Sequence, residues 1–131
     1  IRPPYFGMLG QVLMASLPED GVDRILQKTP LASHAKNTTT DPYEFREKLA
    51  RIRKQGYIIE DGEAIEGISG VAAPIHNFTG STVAAVGVSF ISSSVDAKGK
   101  EALLAEVLKA ADAISQEMGY GGVKGPSVAT G

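Results

Sequence analysis

The chain has 131 residues, enough for one domain around one core and too few for two. Its 43% hydrophobic and 21% charged residues suit a soluble globular protein, and a formal net charge of −2 lacks the basic excess that phosphate contacts demand of a nucleic-acid binder. It contains no cysteine, which excludes disulfides, thiolate metal sites and cysteine nucleophiles. No apolar run approaches the roughly 20 residues needed to span a bilayer. No secretory signal is visible, so a cytoplasmic location without membrane contact is expected. The chain opens at Ile1-Arg2-Pro3-Pro4 rather than at methionine, as a fragment of a longer protein would.

From Met8 to Leu17, residues Leu9, Val12, Leu13 and Leu17 recur at helical spacing, and Pro18 ends the run. A second short helix carrying Val22, Ile25 and Leu26 opens after Pro18-Glu19-Asp20. The polar stretch 30–40 has no period and reads as a loop. Asp41-Pro42-Tyr43-Glu44 then forms a helix start: Asp41 accepts from exposed amides, Pro42 suits the first position and Glu44 closes a capping box. Phe45, Leu49 and Ile52 line one face of this helix, and Gly56 ends it. Its basic residues Arg46, Lys48, Arg51, Arg53 and Lys54, interleaved with Glu44 and Glu47, read as the solvated face.

After Gly56 the period changes to two. Tyr57-Ile58-Ile59 reads as a short strand and Glu60-Asp61-Gly62-Glu63 as an acidic turn. Residues 71–75 and 82–90 read as an antiparallel hairpin joined by Asn77-Phe78-Thr79-Gly80. The many small residues in both strands allow a helix or a ligand to approach the backbone closely. The longest helix runs from Ala97 to Met118, with Leu103, Leu104, Val107, Leu108, Ala111, Ile114 and Met118 as its apolar stripe. Ser94 or Asp96 caps it and Gly119 stops it. Residues 122–131 read as a flexible tail. Two long strands and two short ones make a poor sheet for this many helices, so further strands are expected before Ile1.

Chemistry-bearing motifs are few. His34 and His76 are the only histidines and have no metal-ligand spacing to any partner. Ser92-Ser93-Ser94 lacks a nucleophile-elbow pattern and a base. No nucleophile, base, metal set or cofactor motif converges, so an enzyme is the weakest reading. The acidic turn is the best polar candidate, one carboxylate being placed to accept from a ligand hydroxyl, with a solvated turn as the alternative.

Together these pieces resemble the effector-binding domain of IclR-type transcriptional regulators. The resemblance rests on Gly56-Tyr57-Ile58-Ile59-Glu60-Asp61-Gly62-Glu63, then Gly67, Val71-Ala72-Ala73-Pro74-Ile75 and the strand 83–89. Leu9-Gly10, Leu17-Pro18-Glu19 and the closing helix through Gly119 extend it over residues 3–121, the C-terminal portion of that domain. It implies an α+β, GAF-like fold, an antiparallel sheet flanked by helices that cups a small organic effector, a carboxylate or aromatic metabolite. It also implies self-association to a dimer or tetramer and DNA binding through a separate N-terminal winged helix-turn-helix. No cofactor or metal is implied.

Carried over position by position, the implied effector-binding residues are Gly7, Met8 and Leu9 at the first helix, Glu60 and Asp61 at the acidic turn, Gly70, and the strand positions Gly87 and Ser89. There are departures. Tyr5 and Gly7 stand where the family often has histidine and threonine or serine, and Gln11 stands where lysine is usual. Met8 is bulkier than the usual residue, and Gly70 and Gly87 replace cysteine and serine. Trading polar side chains for space implies an effector larger or less polar than a two- or three-carbon acid. The competing reading is an oligomerisation domain whose pocket is filled by Met8 and Leu9.

Overall fold

The computed structural model describes residues 3–121. The tail expected over 122–131 lies outside the described residues. In chain order the elements are α1 (Met8–Ala15), α2 (Glu19–Lys28), α3 (Pro42–Gln55), β1 (Ile58–Asp61), β2 (Ile68–His76), β3 (Thr82–Ile91), a 3-10 turn (Ser92–Ser94) and α4 (Ala97–Glu117). The class is α+β, as expected. The three strands form one antiparallel sheet in the order β1-β2-β3, with α1 on one face, itself packed on α3, and α4 on the other.

Local signals account for the helix ends. Asp41 Oδ2 accepts from the Glu44 amide at 3.0 Å, Pro42 occupies the first turn of α3, and Gly56 closes the helix at φ 85°. Of the two caps considered for α4, Asp96 is the one used: its Oδ1 accepts from the Gly99 amide at 2.8 Å. Two boundaries differ from expectation. Glu60 and Asp61 belong to strand β1, because both pair with β2 (Glu60 with Gly70, Asp61 with Ser69), so the turn begins at Gly62. Strand β2 starts at Ile68, its first residues finding partners in β3 that their own sequence does not announce.

Period two in β2 divides the core. Ala72 faces α1 in a cluster with Tyr5, Val12, Phe45, Leu49, Ile52 and Ile58, while Val71 and Ala73 face Val107 and Ala111 of α4. In α4 the stripe is buried only in its middle, since Ile114 and Met118 near its end are exposed. The Phe45 ring is fully buried and meets Tyr5 edge-on at 6.1 Å. Phe45→Ala is expected to cost about 3–5 kcal/mol. Asp41→Ala is expected to cost only about 1 kcal/mol, through the lost cap. Urea unfolding of the two variants checks both the order and the size of these losses.

Candidate functional site

The segment before α1 is tied down by Tyr5. Its hydroxyl donates to the Pro30 carbonyl at 3.0 Å and accepts from the Ala32 amide at 3.1 Å, and its own carbonyl accepts from Gln11 Nε2 at 2.8 Å. This fixes where α1 begins. The helix starts after Gly7, which offers no side-chain cap, and its first backbone bond runs from the Gln11 amide to the Gly7 carbonyl at 3.1 Å. The amides of Met8, Leu9 and Gly10 therefore precede the hydrogen-bonded ladder, and the helix dipole is positive there.

A cavity of about 250 Å³ opens at this helix start, lined by Phe6, Gly7, Met8, Leu9, Gly10, Glu60, Ala64, Ile65, Ile68 and Ser89. Glu60 is buried, only 7% exposed, and its Oε2 accepts from the Ala64 amide at 3.0 Å. Among the described residues its Oε1 accepts no hydrogen bond. Ser89 stands on the far side, in the same cross-strand row: Glu60 pairs with Gly70, and Gly70 with Ser89. The cavity thus offers one carboxylate, one hydroxyl and the amides of a helix start, set among apolar walls.

Of the residues the sequence implied, Gly7, Met8, Leu9, Glu60 and Ser89 meet in this cavity. Asp61 does not join them. It points to the opposite face of β1, where its Oδ1 accepts from Ser69 Oγ at 2.8 Å, and Ser69 in turn lies 2.6 Å from Ser92 Oγ. Gly70 and Gly87 lie beneath the Met8 side chain. A Cβ on Gly70 would stand 2.5 Å from Met8 Sδ and 2.9 Å from the Val88 carbonyl oxygen. One on Gly87 would stand 2.7 Å from the Val71 carbonyl oxygen, 2.8 Å from Ala72 Cβ and 3.0 Å from Met8 Cε. The room at Gly70 is taken mainly by Met8 and that at Gly87 by β2 together with Met8, which corrects the expectation that it is left for a ligand. Leu9, by contrast, is 44% exposed.

The basic run on α3 is not simply a wet face. Lys48 is 9% exposed and its Nζ donates to Glu63 Oε1. Arg53 Nε donates to the Ala15 carbonyl at 2.7 Å, closing the end of α1, and Arg46 pairs with Asp23 of α2. The missed signal was position: Lys48 sits between Phe45 and Ile52, in register with the apolar stripe. Burial pushes the Lys48 ammonium down from 10.5 to about 8, with Glu60 opposing the shift and Arg51 adding to it.

The histidines are occupied otherwise. His34 packs against Phe6 at 5.0 Å, and His76 stacks on Tyr120 at 4.6 Å. No group of three or more His, Asp or Glu among the described residues could hold a metal ion, and no helix among them is long and apolar enough to cross a membrane. A wider concavity, about 660 Å³, is a broad open depression at the start of α4 bordered by Ser93, Asp96, Leu103 and Glu106. Its one carboxylate at the helix start, Asp96, is already spent as the cap.

The family model described as bacterial transcriptional regulator IclR, C-terminal, matches residues 2–116. The chain belongs to this family. It is 29% identical over 122 residues to the transcriptional repressor IclR of Escherichia coli, covering 93% of this chain and 44% of that protein. It is 32% identical over 88 residues to a probable HTH-type regulator ArcR of Halobacterium salinarum, covering 67% of this chain and 34% of that one. Among solved structures, the C-terminal domain of Escherichia coli KdgR superposes with a TM-score of 0.82 at 28% identity, over 91% of this chain and 73% of that chain. The Thermotoga maritima IclR structure superposes with a TM-score of 0.80 at 29% identity, over 89% of this chain and 47% of that chain. The chain spans less than half the length of these curated relatives, which are named as transcriptional regulators.

The Lys48 shift gives this IclR-family domain a pH signature. The folded chain holds that proton less tightly than the unfolded chain, so a charged Lys48 lowers stability in full below about pH 8. The penalty is relieved as pH rises from about 8 to 10.5. Urea midpoints measured across this window are expected to rise for the wild type relative to Lys48→Met. A constant difference between the two proteins would contradict the burial of a charged Lys48.

Proposed function

We propose that this chain is the effector-sensing part of an IclR-family transcriptional regulator, binding a small organic acid in the cavity at the start of α1. The observation that carries this reading is the meeting of Gly7, Met8, Leu9, Glu60 and Ser89, distant in sequence, around one space. The helix-start amides suit a carboxylate, because they lack intrahelical acceptors and lie at the positive end of the dipole. Glu60 is suited to a ligand hydroxyl or ammonium, since a carboxylate only accepts. A hydroxy or amino acid satisfies both ends. Binding controls a separate N-terminal winged helix-turn-helix when the effector has different affinities for two arrangements of a dimer or tetramer. The setting is cytoplasmic, with DNA reached only through that other domain.

A second reading is favoured by two observations. Met8 packs into the core over both glycines, and Val83, Val88 and Ile91 of β3, together with Leu13 of α1, are exposed. Both suit a domain that serves self-association without a ligand.

Thermal-shift screening of the full chain against small hydroxy and amino acids separates the two. At least one acid is expected to raise the melting temperature, and Glu60→Gln is expected to weaken its binding at least about tenfold, as loss of a charged hydrogen bond does. Ser89→Ala is expected to weaken it less, the serine being exposed. A defined dimer or tetramer by light scattering with no response to any acid would favour self-association alone.

A further inference from the structure

Across the sheet, Glu60 and Ser89 are separated by Gly70, and adjacent strands lie about 4.8 Å apart, so the two polar side chains stand roughly 10 Å from one another. The gap between them is closed by one side chain. Met8 starts α1, and its thioether descends onto Gly70 and Gly87, leaving the residue only 6% exposed. A side chain at Gly70 would meet both Sδ and the terminal methyl, at 2.5 and 2.8 Å from its Cβ. One residue therefore lies beside the ligand space with its amide and forms the floor of that space with its sulfur.

From this we infer that Met8 is the residue that sets the size of ligand this domain accepts, by occupying the deep part of the cup. The inference rests on the effector-binding reading above. What remains open, about 250 Å³, lies just below the range of drug-sized ligand sites, which begins near 300 Å³. The ligand class is a compact monocarboxylic acid whose carboxylate meets the α1 amides and whose body lies against Ile65, Ile68 and the Met8 sulfur. An unbranched thioether suits this place because its rotatable bonds let it fill the irregular gap over the glycines. Shortening Met8 deepens the cup toward Gly70 without removing any polar group of the site.

Calorimetric titration of the full chain with benzoate and with 2-naphthoate tests this, using wild type, Met8→Ala and the volume-conserving Met8→Leu. Met8→Ala is expected to bind 2-naphthoate about tenfold more tightly than wild type, the scale on which apolar pockets discriminate size, with benzoate little changed. Met8→Leu is expected to behave as wild type. Equal binding of 2-naphthoate to wild type and Met8→Ala overturns the inference and leaves the effector reading standing. Failure of every variant to bind either acid overturns the inference, whereas the effector reading falls only if the hydroxy and amino acids also give no thermal shift. A second measurement needs no ligand: Gly70→Ala is expected to lower the melting temperature more in the wild type than in the Met8→Ala background. Equal losses overturn the placement of the thioether. Met8→Val carries both measurements if Met8→Ala does not fold.

Discussion

The seating of Met8 on Gly70 and Gly87 is the contact on which the α1 face of the sheet depends. Two adjacent strands carry glycine at neighbouring positions on the same face, and a helix side chain enters the space where the Cβ of Gly70 would stand and reaches the edge of that of Gly87. Interiors are packed at near-crystalline density, so that space must be filled by something. Filling it from α1 draws the helix start down to the sheet, between the buried Glu60 on β1 and Ser89 on β3. The cavity is what remains around that contact. A long residue on the helix and two absent side chains on the sheet act as one unit, and none of the three has a structural meaning alone.

The polar groups around the cavity are held from several directions. Tyr5 fastens the approach to α1 against the loop at Pro30 and Ala32, which fixes the first amides of the helix in space. Glu60 is held by the Ala64 amide and lies in the field of the buried Lys48, itself paired with Glu63. The loop before α3 is bound to the same region, since Asn37 Nδ2 donates to the Asp61 carbonyl at 3.0 Å and the Lys36 amide donates to Glu66 Oε2 at 3.0 Å. A carboxylate this deeply buried is tolerable because a cation lies close to it. The same arrangement leaves one of its oxygens for the cavity. On the other face of the sheet, Asp61, Ser69 and Ser92 form a separate polar link that ties β1 and β2 to the turn before α4. Two consecutive acidic residues thus do different work, because successive side chains of a strand point to opposite faces.

Much of this was legible from the sequence alone, wherever the signal is local. The α3 helix declared both of its ends through Asp41-Pro42 and Gly56, because capping depends on residues within one turn of each other. The β2–β3 hairpin and α4 declared themselves through the periods two and 3.6, and the order of motifs from Gly56 to Ser89 carried the family. The candidate residues at the start of α1, in β1 and in β3 could be named in advance only through the family resemblance, which aligned them position by position.

Tertiary structure alone decided the rest. It turned Glu60 inward and Asp61 outward, because strand pairing extends further than the composition of the acidic stretch suggests. It buried Lys48, which composition had assigned to solvent, because its ion-pair partner Glu63, and Glu60, whose charge opposes the shift, both lie beyond the end of its own helix. It also gave the space over Gly70 and Gly87 to Met8. Glycine in a sequence says only that a side chain is missing. Which distant atom enters the place of that side chain depends on how the helix is set against the sheet, and that is settled by packing over more than sixty positions of chain rather than by any local preference.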